Sequence, residues 1–91
     1  MQHFKITAKG RVQGVYFRAF TLKVANKYSI FGTSKNLNNG DVEIIASGSA
    51  QNMSSFIQAC KSGPLLANVN KLIVIEHPCS TPVFTDFKII S

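Results

Sequence analysis

The sequence predicts an α+β fold in which two helices pack on one face of a four- to five-stranded antiparallel sheet. Strand-like and helix-like patterns follow one another in the order β-α-β-β-α-β, with room for a further strand at the end. An Asn-Gly pair separates two neighbouring strand-like runs, and each helix-like segment is apolar along one stripe only. A chain of 91 residues has the size of one small domain, and we expect residues 1–91 to form it.

The first strand and the first helix follow from two different periodicities. Residues 3–9 alternate between apolar and polar side chains, which predicts a half-buried strand. After the stretch GRVQGVYFR, apolar residues recur at spacings of three and four, at Phe17, Phe20, Val24 and Tyr28. This spacing predicts an amphipathic helix that runs to about Tyr28.

A hairpin is predicted next, with strands over residues 31–37 and 41–46. Asn39-Gly40 lies between these two runs. Asn-Gly favours a type I′ turn, because both central residues of that turn have a positive φ.

The second helix has clear signals at both ends. Ser49 is a candidate N-cap, and Gly63-Pro64 predicts the end of the helix. Between them an apolar stripe consists of Met53, Phe56, Ile57 and Cys60.

The remaining strands are less uniform in pattern. Residues 69–76 are apolar on both faces, so we expect a central or well-covered strand there. The segment VFTDFKII, residues 83–90, alternates less cleanly and would extend or edge the sheet.

This order of elements is the split βαβ, or ferredoxin-like, arrangement. Its first and second strands flank a helical crossover and run parallel, with the third strand inserted between them. The C-terminal ends of the first two strands therefore lie at the same edge of the sheet. Because Arg18 follows the first strand and Asn36 ends the second, we expect the two side chains to meet.

The positive charge of the chain is concentrated in its first half. The net charge is +6, but residues 1–40 hold seven Lys and Arg and no acid, and residues 41–91 carry −1. Such a field raises the local concentration of anions, which favours nucleic acid, phosphorylated metabolites or acidic membranes as partners. No apolar run approaches the roughly 18 residues of a membrane span and no signal-peptide pattern is visible, so we expect a cytoplasmic protein.

The two cysteines show no metal-ligand spacing and no disulfide framework. Cys60 falls on the apolar stripe of the second helix, and we expect it in the core. Cys79 falls in a loop, HPCSTP. A Cys60–Cys79 bridge stays open, although a cytosolic chain has little use for one.

The stretch GRVQGVYFR, residues 10–18, has the chemistry of an anion site. Glycines between a strand and a helix let backbone N–H groups converge on an anion, and the first N–H groups of the helix point the same way. Arg18 falls in the first helical turn, where a cation is unfavourable unless a bound anion compensates it. A tight loop with a surface arginine is the competing interpretation of these residues alone.

The full motif resembles the signature of the acylphosphatase family. The resemblance continues through GTSKNLNNGDVEIIASG (residues 32–48), through Ser-Gly-Pro at 62–64, and to an aromatic-led final strand. The sequence departs from the family pattern at Thr33 and Ser34, where the family usually has a large residue and valine. It also has Asn39-Gly40 in place of Asp-Gly, and Tyr16 at a variable position.

The resemblance implies hydrolysis of the carboxyl–phosphate bond of acyl phosphates. It implies that backbone amides near Gln13 hold the phosphate, that Arg18 binds it, and that Asn36 orients the attacking water. The implied phosphate-binding set is Gly10, Arg11, Val12, Gln13, Gly14, Val15 and Arg18. We expect no metal and no cofactor, since no ligand cluster for a metal is visible, and no conventional general base. The carboxylate leaving group, with a pKa of about 4 to 5, needs no proton from a general acid.

The implied partners are small molecules. They are an acyl phosphate substrate, and inorganic phosphate or another oxyanion as product or inhibitor. We expect a monomer that binds neither nucleic acid nor membrane. Two alternatives stay open: a basic nucleic-acid-binding module on the same fold, and a catalytically silent phosphate-binding relative.

Overall fold

The computed structural model describes residues 1–76 and 85–90, which form five strands and two helices. In chain order they are β1 (Gln2–Arg11), α1 (Phe17–Lys27), β2 (Phe31–Asn36), β3 (Val42–Gly48), α2 (Ala50–Ser62), β4 (Asn68–Glu76) and β5 (Phe87–Ile90). This confirms the predicted order of elements, and the terminal segment forms the further strand for which the sequence left room. No helix in the described ranges is long and apolar enough to cross a membrane.

The strands form one sheet in the order β4-β1-β3-β2-β5. As predicted, β3 lies between β1 and β2 and is antiparallel to both. The fifth strand differs from the expectation, because β5 pairs in parallel with β2 and makes the sheet mixed. Phe87 anchors β5 from within the core, where its ring packs edge-on against Phe56 at a centroid distance of 6.1 Å.

The core lies between the helices and one face of the sheet. Ile6 pairs with Ile44 on β3 and with Val74 on β4, so these three side chains share a sheet face. Ile6 and Ile44 are fully buried. The helices supply further buried side chains to this core, among them Phe17, Val24, Met53, Phe56 and Cys60.

The predicted ends of α2 are confirmed. Ser49 Oγ accepts a hydrogen bond from the backbone N–H of Asn52 at 3.2 Å, and so satisfies one of the free N–H groups of the first turn. Gly63 follows the helix with φ 69°, and its N–H donates to Ala59 O at 3.0 Å.

The prediction of a central strand over residues 69–76 was wrong. β4 is the end strand of the sheet as described, pairing with β1, and Val74 and Ile75 are 38% and 56% exposed. β-Branched residues favour a pleated backbone wherever the strand lies. They do not show whether a neighbouring element covers each face.

The predicted turn type was also wrong, although the hairpin itself is present. Within loop residues 38–40 only Gly40 has a positive φ, 96°, whereas a type I′ turn requires two such residues. Leu37 N donates to Asp41 O at 2.8 Å, and Gly40 N donates to Leu37 O at 3.2 Å. The connection is therefore a three-residue loop.

Residues 77–84, which include Cys79 and the start of the predicted last strand, lie outside the described ranges.

Candidate active site

A cavity of about 350 Å³ opens at the edge of the sheet where β1 and β2 end. Arg18 and Asn36 both line it, as the crossover topology predicted. Among the described residues, the lining comes from the loop after β1 and from α1, β2 and β5. It consists of Val12, Gly14, Tyr16, Phe17, Arg18, Ala19, Asn36 and Ile89.

The predicted phosphate-binding set divides into residues that line this cavity and residues that support it. Val12, Gly14 and Arg18 line it. Gly10 and Arg11 instead belong to β1, where they pair with Val69 and Asn68 of β4. Of the other two, Gln13 is half-buried and Val15 is only 6% exposed, packed into the core.

The two glycines of the motif are required for different reasons. Gly10 has φ 123°, and a Cβ there would lie 2.2 Å from the backbone oxygen of Asn68, so the close approach of β4 requires a glycine. Gly14 has φ 74°, but a Cβ there would have no other atom within 4 Å. Since Gly14 lines the cavity, this open space is part of the cavity.

The N-terminus of α1 is free of the groups that usually neutralise it. Tyr16 occupies the N-cap position without a side-chain cap, and the first turn contains no acid. The first intrahelical bond runs from Phe20 N to Tyr16 O at 3.0 Å. The preceding N–H groups therefore have no intrahelical acceptor, which makes this helix end favourable for an anion.

Arg18 lies half-buried in this first turn. Its Nη1 is 3.5 Å from the carbonyl oxygen of Ile90, too long for a strong hydrogen bond. The ion pairs between described residues do not include Arg18. Among the described residues, the cation thus lies near the positive end of the helix dipole with no carboxylate paired to it.

Asn36 is the last residue of β2, and its Oδ1 atom is buried without a hydrogen-bond partner among the described residues. A buried acceptor left unpaired costs about 1–3 kcal/mol. This oxygen is therefore available to accept a hydrogen bond from a water or a ligand in the cavity.

The side chain of Gln13 is a part of the site that sequence reasoning missed. Its Nε2 donates to Leu37 O at 2.8 Å and to Asp41 O at 2.9 Å. These bonds tie the loop after β1 to the hairpin that follows Asn36. No periodicity or spacing signals such a contact, because it joins residues 24 and 28 positions apart.

The second motif contains two carboxylates, but both are paired away from the cavity. Asp41 Oδ2 is 2.6 Å from Lys9 Nζ and accepts from Asn39 Nδ2 at 3.1 Å. Glu43 is 3.6 Å from Lys5 Nζ. Among the described residues that line the cavity, none carries a carboxylate, an imidazole or a thiol.

Within residues 1–76 and 85–90, no group of three or more His, Cys, Asp or Glu side chains is placed to hold a metal ion.

Cys60 is fully buried in the core, as expected, and burial raises the pKa of its thiol to about 12.

Comparison with known proteins places this chain in a family. A family model described as Acylphosphatase matches residues 4–89. The acylphosphatase of Syntrophus aciditrophicus (strain SB) is 39% identical over 90 residues, covering 99% of this chain and 93% of that relative. The crystal structure of acylphosphatase from Bacillus subtilis has a TM-score of 0.94 at 36% identity and covers 100% of both chains. An acylphosphatase structure from Coxiella burnetii has a TM-score of 0.90 at 30% identity, covering 98% of this chain and 92% of that one.

These similarities extend over nearly the whole chain and include both sequence motifs. The similarities to these proteins show the class of this one, a small α+β hydrolase. The chain belongs to the acylphosphatase family, and it is an enzyme of that family. The family resemblance and the ferredoxin-like fold predicted from the sequence are both confirmed.

Proposed function

We propose that this enzyme hydrolyses the carboxyl–phosphate bond of acyl phosphates, releasing a carboxylate and inorganic phosphate. The observation that supports this most strongly is the shared cavity of Arg18 and Asn36 beside the uncapped N-terminus of α1. Arg18 is a cation, whereas the amide of Asn36 is neutral and can both accept and donate hydrogen bonds. Together they suit a phosphate and a water molecule.

The phosphate would bind between Arg18 and the loop of residues 10–15. Backbone amides near Gln13, Gly14 and Val15 would face its oxygens, together with the free N–H groups of α1. The guanidinium offers a planar set of donors that matches phosphate geometry. The bound anion would also offset the charge of Arg18 at the helix N-terminus.

The attacking water would be oriented by Asn36. Its unpaired Oδ1 accepts a hydrogen bond from the water, and its amide can donate one. Phosphoryl transfer depends mainly on positioning and on stabilisation of charge. A phosphate oxygen of the substrate would take the proton of the water, and the carboxylate would leave without protonation.

This mechanism uses no metal and no cofactor. We propose further that the enzyme acts in the cytoplasm as a monomer, on small molecules rather than on nucleic acid or membranes. Inorganic phosphate, as the product, should compete with substrate for Arg18 and the loop.

The mechanism is tested by assaying benzoyl phosphate hydrolysis with excess chelator present. We expect activity to persist, Arg18→Gln to lose both binding and turnover, and Asn36→Ala to lose mainly turnover. Lys23→Gln and Asn26→Ala are matched controls, because both residues are exposed on α1 and neither lines the cavity. Activity that disappears with chelator, or that survives both site substitutions, would contradict the mechanism.

The competing function predicts a different result. A nucleic-acid-binding module would bind single-stranded RNA with an affinity that falls steeply with salt. It would also lack hydrolase activity. That pair of results would overturn the proposed function.

A further inference from the structure

Two exposed apolar side chains line the same cavity as Arg18, and they come from different elements. Tyr16 is 77% exposed and precedes α1, while Ile89 is 39% exposed and lies on β5. Exposed Ala19 of α1 also lines the cavity. The cavity therefore combines a polar part, with Gly14, Arg18 and Asn36, and an apolar part.

The backbone of Tyr16 is held in an unusual conformation. Its φ is 63° and its ψ 23°, in the left-handed region that bulky side chains rarely adopt. Its neighbours Val15 and Phe17 are both buried, which fixes the chain on either side. Strained residues of this kind persist where the surrounding structure holds them, and they are concentrated at ligand-binding sites. The result is an aromatic ring exposed beside the cavity.

The charges of the cavity lining distinguish between acyl groups. Arg18 is the one charged residue among the described residues that line it. If Arg18 binds the phosphate, no second cation remains among the described lining residues to pair with a charged acyl group. A carboxylate placed against Tyr16 and Ile89 would lose hydration without gaining a partner, which is unfavourable.

We propose that Tyr16 and Ile89 bind the acyl group of the substrate, and that they select acyl phosphates with apolar acyl groups, aromatic ones above all. This inference rests on the proposed function. In R–CO–O–PO₃ the acyl group is joined to the phosphate through one bridging oxygen. With the phosphate at Gly14 and Arg18, the group R meets the remaining lining of the same cavity.

The inference is tested with two substrates that differ only in R, benzoyl phosphate and acetyl phosphate. For Tyr16→Ala we expect kcat/KM for benzoyl phosphate to fall roughly five- to twentyfold, mostly through KM, because an aromatic contact is lost. For acetyl phosphate it should change less than about twofold, since a methyl group makes little contact with the ring. Inhibition of Tyr16→Ala by inorganic phosphate should be unchanged, and Tyr16→Phe, which keeps the ring, should keep the preference for benzoyl phosphate.

Two further variants separate the ring from the backbone and from general surface effects. Tyr16→Gly removes the ring and suits the positive φ, so it should lose the benzoyl preference as Tyr16→Ala does while raising the Tm. If Tyr16→Gly kept the preference, the backbone and not the ring would set it, and the inference would be overturned. Leu65→Ala, at a residue 97% exposed and outside the cavity lining, is the matched control.

The failure of this inference differs from the failure of the proposed function. Equal losses for both substrates, with weaker phosphate inhibition, would assign Tyr16 a structural role and overturn the inference alone. No hydrolysis of either substrate by the wild-type enzyme would overturn the proposed function, and the inference with it.

Discussion

The side-chain Nε2 of Gln13 donates to the backbone oxygen of Leu37 at 2.8 Å, and the same nitrogen donates to Asp41 O at 2.9 Å. One amide thus binds both carbonyl groups at the base of the hairpin loop. Leu37 directly follows Asn36, so this contact sets the distance between the loop after β1 and the asparagine. Gln13 is in this sense a positioning residue.

Replacing Gln13 with methionine should keep its volume and remove both hydrogen bonds. We expect the free energy of unfolding to fall by about 1–2 kcal/mol, because the variant loses two hydrogen bonds made by a half-buried side chain. Both kcat and inhibition by phosphate should weaken, because the loop and Asn36 shift relative to each other. Denaturant unfolding and steady-state kinetics measure these effects.

Gln13→Glu is the matching comparison for that variant. Its carboxylate would face two carbonyl oxygens, so we expect it to be less stable than Gln13→Met at pH 7. Equal stability of the two variants and the wild type would show that the amide contact does not hold the loop.

The two glycines of the motif should respond differently to alanine. Gly10→Ala places a methyl group against the backbone of β4, so we expect a loss of roughly 2 kcal/mol or more in unfolding free energy. The methyl group of Gly14→Ala would contact no other atom. The variant should still lose roughly 1 kcal/mol of unfolding free energy, because alanine is strained at a positive φ. Its methyl group enters the cavity lining, however, and should weaken phosphate inhibition. A Gly14→Ala enzyme that binds phosphate normally would contradict this assignment.

Ser34 presents an unsatisfied buried hydroxyl in β2. It is fully buried, and its Oγ has no hydrogen-bond partner among the described residues. We expect Ser34→Ala to raise the free energy of unfolding by about 1 kcal/mol, because the desolvation cost of the hydroxyl disappears. Ser34→Val should stabilise further only if the core accommodates the added methyl groups. A destabilised Ser34→Ala would show that the hydroxyl has a partner in solution.

The stability of the protein should fall above pH 9 partly because of Cys60. Burial raises the pKa of its thiol from 9.0 to about 12. Between these values the unfolded chain loses the thiol proton and the folded chain keeps it, so unfolding becomes more favourable as pH rises. Between these two pKa values the free energy of unfolding falls by at most about 1.4 kcal/mol per pH unit. Denaturant unfolding of wild type and Cys60→Ala from pH 8 to 11 measures this, and parallel pH profiles would contradict it.

Local patterns predicted most of the fold, because the spacing of apolar residues within most helices and strands of this chain matches the period of that element. The alternation in β1 and the stripe of α2 both matched burial in the structure, with Ile6 and Phe56 fully enclosed. The place of β4 at the sheet edge was not predictable in this way. Edge and centre differ in which other strands pair with them, and residues 69–76 carry no information about that.

The site shows the same division between local and long-range information. Topology was sufficient to bring Arg18 and Asn36 to one cavity, because a crossover fixes which strand ends are neighbours. Gln13, Tyr16 and Ile89 could not be placed by that reasoning. Their roles depend on a side-chain hydrogen bond, a left-handed backbone residue and a parallel fifth strand, and each is set by tertiary packing.

The parallel pairing of β5 with β2 also has a kinetic consequence. Gly32 pairs with Phe87, so this contact closes a very long loop of chain and forms slowly compared with the β2–β3 hairpin. Ile89 reaches the cavity only when that loop has closed. Of the two side chains that face the acyl group, Tyr16 precedes α1, whereas Ile89 is supplied by the last strand. The wall that faces the acyl group is therefore complete only when β5 is in place.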